Sequence, residues 1–431
     1  MAENVTSTAQ NDFATARVQP DQKKSLFSVS MVSAGFCICM SGLFTGASMA
    51  AGLGIWQAVI AALVGNLILF LYGGLLGAAG AKEGVATSML ARHSFGRQGS
   101  KIISLVLALT MLGWFSVQIG FFGNTINAMF PNGGFFTSVP AAAAWGGILM
   151  MLTAYFGYKG LNVLSLIAVP LIFITALIGI FAAVGHAGGW DKIASIVPTG
   201  TIDLGTGIVL AVGSFAGGAS AQADITRYSK SPLGSWIATF IGYMIANVFI
   251  ILAGFITTLA TGIGDLPSAM LGLGLGIPAM IVLVLAQWTT NDNNLYTSSL
   301  GFSNIINVPK KRITLVAGII ATIVGAAGLS NYFTSWLIIL GVGIPPMAGI
   351  IIADYYILKK RSYMFGEGTQ YSSWNLLAFI SWLIAALAGY FITWGIASVN
   401  SLVIGFAVYL VLMKTLGVNK TAILGAKIEN N

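Results

Sequence analysis

Hydrophobic positions along this chain fall into long blocks rather than alternating with polar ones. Apolar spans can be drawn at 25–52, 55–80, 102–129, 138–157, 161–184, 205–228, 233–260, 276–304, 313–329, 332–357, 373–394 and 399–415. Each is near the ~20 residues that an α-helix needs to cross a bilayer's hydrocarbon core. In lipid the backbone must pair its own N–H and C=O groups, so the blocks predict an all-α membrane protein with 12 transmembrane helices. Two blocks are interrupted. The first carries Gly35, Ser41-Gly42, Thr45-Gly46 and Gly52-Leu53-Gly54, and the sixth carries Gly205, Gly207, Gly213-Ser214-Phe215 and Gly217-Gly218. Matched interruptions in two halves are the sequence mark of an inverted repeat with discontinuous helices. Here they stand five spans apart, so the fold expected is a 5+5 repeat broken in spans 1 and 6. Pro170 in the fifth span and Pro345-Pro346 in the tenth form a second matched pair.

The organisation expected is therefore an N-terminal tail over 1–24, repeats over 25–184 and 205–357, two additional helices within 371–416, and a tail over 417–431. Composition agrees: 57% of residues are hydrophobic and 7% charged, and mean hydropathy is +0.88. Soluble domains carry about 25% charged residues. The net charge of +8 and pI near 9.4 do not mark a nucleic-acid surface. With the N-terminus inside, nineteen of the twenty Lys and Arg residues fall in segments on that side, and Lys192 alone falls outside. That bias orients a multi-pass protein in the cell membrane with both termini cytoplasmic. The polar start of the chain, without a basic stretch leading into a short apolar one, reads as a cytosolic tail rather than a signal peptide. Cys37 and Cys39 are two residues apart on different helix faces, which gives neither a disulfide framework nor a metal spacing. A phosphate-binding G-x-x-x-x-G-K-[ST] loop is missing, so the sequence encodes no ATP-driven transport. No organic cofactor and no obligatory protein partner is indicated.

Candidate chemistry gathers in the eighth span, where Trp288-Thr289-Thr290-Asn291-Asp292-Asn293-Asn294 interrupts an apolar stretch. An Asp at the centre of a membrane helix costs roughly 3 kcal/mol, so such a cluster is retained for binding. It is rich in oxygen ligands and short of charge, which points to transport of a cation and a neutral polar solute. Thr289 and Thr290 offer two hydroxyls within one turn, although membrane threonines also bond back to carbonyls of the preceding turn. Asp292 is the one carboxylate well inside a span, a candidate proton acceptor or a structural residue. A flat neutral ring is best held by stacking and directed hydrogen bonds. Trp114 and Phe215 can supply the faces, Ser214 a hydroxyl at the sixth-span interruption, and Gln118, one turn beyond Trp114, an amide that donates and accepts. Asn291 is a further candidate. His93 and His186 read as solvated loop residues, and Asp224 with Arg227 as an inner gate pair or a helix cap.

Gly113-Trp114-Phe115, Gly213-Ser214-Phe215, Ala223-Asp224 through Arg227-Tyr228 and Trp288 through Asn293 resemble the nucleobase–cation symporters, and most of all their bacterial cytosine permease branch. Ser94-Phe95-Gly96 and the stretch from Ile344 to Tyr355 are also similar, and the resemblance runs from about residue 25 to 415. It implies a LeuT-like fold and uptake by alternating access. It places an aromatic ring against the base at Trp114 and Phe215. It also implies a sodium site on the carbonyls of Gly35, Ile38 and Ala286 and the side chains of Thr289 and Thr290, with sodium as coupling ion. Two positions depart from the cytosine pattern: Met111 replaces a Gln and Gly217 a Ser, while Gln118 is similar to the hydantoin branch. The expectation is a sodium-coupled nucleobase importer for cytosine or a purine, with proton coupling through Asp292 or a hydantoin or allantoin substrate as alternatives. An intramembrane enzyme is disfavoured because Asp292 has no second carboxylate, nucleophile–base pair or metal cluster beside it. A passive channel is disfavoured by the broken spans and the missing charged ring.

Overall fold

The first hydrophobic block folds as two helices. In the computed structural model α1 (Leu26–Cys37) is capped by Ser25, whose hydroxyl accepts from the Ser28 amide, and stops at Ile38 (φ −81, ψ 82). Cys39 is extended, and α2 (Met40–Met49) then resumes at a bend of 49°. The structure describes residues 17–417 except Gly157, Thr199, Asn307, 366–368 and Gln370, and at 156, 158–167, Leu300, Ser303, Asn304 and Lys310 it describes the backbone alone. Most of the expected N-terminal tail and nearly all of the C-terminal one therefore lie outside the described residues.

The chain continues through α3 (Ile55–Glu83), α4 (Thr87–Phe95), α5 (Gly99–Met129), α6 (Val139–Phe156), α7 (Tyr158–Ala187) and a short α8 (Trp190–Ser195). The sixth block is also divided. Its first part, α9 (Leu204–Ser220), is capped by Asp203 on the Thr206 amide and kinks where Phe215 leaves helical geometry (φ −135, ψ 18). Its second part is α10 (Gln222–Thr226). Then come α11 (Pro232–Phe240), a π-helical stretch (Ile241–Asn247), α12 (Val248–Thr261), α13 (Leu266–Gly272), α14 (Gly276–Ile306) and α15 (Lys310–Ala326). The tenth block is α16 (Phe333–Gly343) and α17 (Pro345–Ile352) running into a π-helical stretch (Ala353–Leu358), and α18 (Leu376–Phe391) and α19 (Ala397–Leu412) complete the fold.

Six helical segments are long and apolar enough to cross a membrane, and the bent α1–α2 pair makes a seventh, among the described residues. Breaks and polar runs shorten the remaining blocks by that measure, Leu204–Ser220 and Leu376–Phe391 among them. Close backbone packing replaces bulky side chains where the helices cross. A Cβ on Gly46 of α2 would lie 1.8 Å from the Ile251 carbonyl oxygen, and one on Gly254 of α12 would lie 1.9 Å from that of Leu43. Small residues at such crossings let the helices gain dispersion energy in a solvent that gives no hydrophobic drive.

Three expectations change. His186, expected in a loop, is an exposed residue in the last turn of α7. His93 is part of α4, not of a loop: its ring stacks on Tyr363 at 3.8 Å with Phe365 and Tyr371 edge-on, and burial pulls its pKa down to about 4. Asp224 does cap a helix, but a neighbouring one, accepting from the Thr87 amide at 2.7 Å as α4 begins.

Candidate functional site

The α1–α2 break and the α9 kink meet in one cavity of about 790 Å³. From α5 it receives Met111, Trp114 and Gln118, spaced three and four residues apart and so on one helix face. From α9 it receives Ser214, Phe215, Gly217 and Gly218. The contribution of α14 is Thr289, Thr290, Asn293, Asn294 and Thr297, again one face at helical spacing. Gly35, Ile38 and Cys39 line it from the break, and the exposed Phe27 with the half-exposed Met31 and Val32 of α1 form its rim. Among the described residues that line it, none is charged. A neutral wall in a membrane interior suits a neutral solute, since a charged one would need a counter-charge.

Neighbouring rings fix the aromatic positions. Trp114 meets Phe333 and Trp336 edge-on at 6.1 and 6.4 Å, and Phe215 meets Phe36 at 5.4 Å and Tyr243 at 6.1 Å. The Tyr72 hydroxyl donates to the Ala216 carbonyl at 3.1 Å, and the Ser214 hydroxyl to that of Ala211 at 2.7 Å, so both sides of the kink are held. Two amide atoms stay unpaired. Gln118 Oε1, on a side chain only 1% exposed, and Asn294 Nδ2 are buried without a protein partner. An unmet buried acceptor or donor costs about 1–3 kcal/mol, recovered when water or a ligand in the cavity pairs it.

Trp114, Gln118, Ser214 and Phe215 thus come together as expected of a solute site, but Asn291 does not join them. It is fully buried on the other side of α14, donating to the Phe115 carbonyl and the Met150 sulfur, each at 3.3 Å. Helix geometry is the reason: two residues from Thr289 turn a side chain about 200° round the axis. Asn293 and Asn294 occupy the cavity face instead, and counting four and five residues on from Thr289 would have found them.

Of the expected sodium ligands, Gly35, Ile38, Thr289 and Thr290 line the cavity. The buried Ala286 contributes its carbonyl, which accepts from Thr289 Oγ1 at 3.0 Å and from Thr290 Oγ1 at 2.9 Å. Two hydroxyl oxygens are therefore each within hydrogen-bond reach of one carbonyl oxygen, on the cavity that the break in the first block also lines. Asp292 lies outside the cavity. It accepts from Thr153 Oγ1 of α6 at 2.7 Å, and Trp288 Nε1 donates to the same hydroxyl at 3.0 Å.

Residues 20–425 match the family described as permease for cytosine/purines, uracil, thiamine, allantoin. The chain belongs to this permease family. Cytosine permease of Escherichia coli (strain K12) is 34% identical over 412 residues, covering 96% of each chain. Among solved structures, the inward-facing conformation of Mhp1 superposes with a TM-score of 0.82 at 19% identity, covering 94% of each chain. The closed conformation of Mhp1, described as a nucleobase-cation-symport-1 family transporter with bromovinylhydantoin bound, gives 0.77 at 19% identity, covering 95% of this chain and 96% of that one. This permease is thus a multi-pass membrane transporter of the Mhp1 fold rather than an enzyme.

Proposed function

We propose that this permease imports a neutral, planar nucleobase by sodium symport, the solute lying in the cavity against Trp114 and Phe215. The observation that carries this reading is the unpaired couple of Gln118 Oε1 and Asn294 Nδ2 on a cavity otherwise aromatic and uncharged. An acceptor and a donor held ready, with ring faces beside them, complement the donor–acceptor edge of a cytosine-like base. The 34% identity to cytosine permease supports the same substrate class. Gly217 favours a second reading, a larger or substituted ring such as a purine or hydantoin. A Cβ there would meet only Thr110 Cγ2 at 3.4 Å and Met111 Cε at 3.6 Å, so the glycine leaves cavity space that packing does not require.

For the cation, Ala286 O and the Thr289 and Thr290 hydroxyls form a compact, uncharged oxygen set, the donor type a hard cation takes. The carbonyls of Gly35 and Ile38, beside the break, are the remaining ligands we assign. Sodium would replace the two hydroxyl–carbonyl hydrogen bonds by lone-pair contacts, which couples its arrival to the wall that carries Asn293 and Asn294. Proton coupling through Asp292 is less favoured, because that carboxyl is turned toward α6. The exposed rim at Phe27 and Met31, together with the higher TM-score to the inward-facing Mhp1 conformation, supports an inward-open state with the N-terminal end of α1 at the cytosol.

Proteoliposome uptake of radiolabelled cytosine, adenine and hydantoin, with and without a sodium gradient, tests the proposal. We expect one of them to accumulate above equilibrium only with inward sodium, and Thr290→Ala to weaken the sodium response about tenfold or more. Accumulation without sodium would remove the coupling, and an unaltered response in Thr290→Ala would move the ion elsewhere.

A further inference from the structure

A second cavity, of about 200 Å³, stands one to two turns further along the same helices. The large cavity takes Cys39 and Ser41 from the first block and Trp114 and Gln118 from α5. The small one takes Phe44, Ala47 and Ser48, and Phe121 and Asn124. At 1.5 Å per residue, Asn124 lies about 9 Å beyond Gln118 along the helix. An aromatic layer separates the two. Phe44 and Phe121 stack with centroids at 3.7 Å and planes 6° apart, and Phe333 closes edge-on against Phe121 at 4.9 Å. All three rings also line the small cavity, and Phe333 touches Trp114, which lines the large one.

Above this layer the walls carry Asn124, Asp265, Ser330, Asn331 and Thr334, with Ala47 and Leu266 between them. Asp265 is partly committed, capping α13 through the Ser268 amide at 3.0 Å and hydroxyl at 2.6 Å. Among the described residues, the side chains of Asn124, Ser330, Asn331 and Thr334 are not engaged by protein hydrogen bonds. Aromatic faces, amides and hydroxyls therefore occur twice along one path, and the second set stands at the end of the molecule away from the α1 rim.

We infer that this small cavity is an outer reception site for the same neutral heterocycle, where solute stacks on the Phe44–Phe121–Phe333 layer before that layer parts. Asn124 and Asn331 supply the directed hydrogen bonds, and the layer is the barrier between reception and the inner cavity. The inference rests on the proposed nucleobase transport, and its test separates the two. Initial-rate uptake of labelled cytosine by cells expressing the full chain reports entry from outside. Its equilibrium affinity for detergent-purified protein reports the inner cavity. Asn124→Ala and Asn331→Ala should each raise the KM for uptake about fivefold, the loss of one hydrogen bond, while the equilibrium Kd stays within about twofold. Because the Kd measurement also reports a folded protein, a variant that fails to fold is recognised and replaced by Asn331→Ser. An unchanged KM in the double variant overturns the reception site, as does a KM that moves in step with Kd. If instead Trp114→Ala leaves Kd unaltered while the KM effects persist, the inner-site assignment fails and the outer one stands. Absence of saturable uptake by the unmodified chain, with cytosine, adenine or hydantoin, overturns both.

Discussion

Gln118 and Asn294 carry the sharpest residue-scale claim, because each buries an amide atom that the protein itself does not satisfy. Their truncation removes an unmet group as well as a ligand contact, so the folded state loses little and the complex loses a hydrogen bond. We expect Gln118→Ala and Asn294→Ala each to weaken substrate binding about five- to tenfold, with the thermal midpoint of the ligand-free protein unchanged. Asn291→Ala should do the opposite. Although the Asn291 Oδ1 is also unpaired, this side chain faces away from the cavity and its Nδ2 ties α14 to the Phe115 carbonyl and the Met150 sulfur. Truncation deletes those contacts and leaves a void, so stability falls by about 1–3 kcal/mol while affinity stays within twofold. Isothermal titration and thermal unfolding on the three variants check the contrast; an affinity loss in Asn291→Ala would return it to the cavity. The residue types and motif contexts of Trp114, Gln118, Ser214 and Phe215 name a chemistry in the sequence, and the fold brings all four to one cavity. Asn291 is not separable from Asn293 and Asn294 by residue type, because within seven consecutive polar residues only the phase of the helix tells which point inward.

At the scale of elements, the two divided helices bring the site together, and glycine spacing made their blocks visible. The break itself falls at Ile38–Cys39, between the glycines rather than on one, so local propensity flagged the segment without fixing the point. The kink at Phe215 likewise lies between Gly213 and Gly217, and these two glycines do different work. A Cβ on Gly213 would sit 2.0 Å from the Leu337 carbonyl oxygen, so α9 and α16 could not keep their separation. Gly217 has ordinary contact distances and opens on the cavity. Gly213→Ala should therefore abolish monodisperse protein in size-exclusion chromatography. Gly217→Ala should fold normally and discriminate against larger rings by about tenfold in competition binding, as lost space in a packed pocket does. Equal tolerance of both changes would mean that the α9–α16 contact is softer than its geometry implies.

Across the whole molecule, the end that carries the α1 rim is tied together by polar groups that hydrophobic patterning could not reveal. The segment before α1 is strapped down: Arg17 donates to the Glu83 carbonyl at 2.7 Å and pairs with its carboxylate at 3.2 Å, and the Lys24 amide donates to the Tyr228 carbonyl at 2.7 Å. These contacts fasten α1 to the end of α3 and to the segment after α10, elements distant in sequence. The two helices outside the expected repeats are fastened as well. Asp354, 1% exposed, accepts from Tyr409 of α19 at 2.9 Å and from Tyr363 at 2.6 Å, while Asn375 donates to the Ser94 carbonyl at 2.7 Å. If this cluster only docks α18 and α19, Tyr409→Phe keeps the ring packing and removes one hydrogen bond to a buried carboxyl. The loss should be about 1.5–3 kcal/mol, visible as a lower unfolding midpoint in detergent, with substrate and sodium affinities unchanged. Tyr363→Phe should behave alike, and the double variant should lose a different amount from the sum of the two, because both hydroxyls serve one carboxyl. Slowed transport at an unchanged midpoint would instead make the Asp354 cluster part of the transport cycle, with α19 moving relative to α17 rather than riding on it.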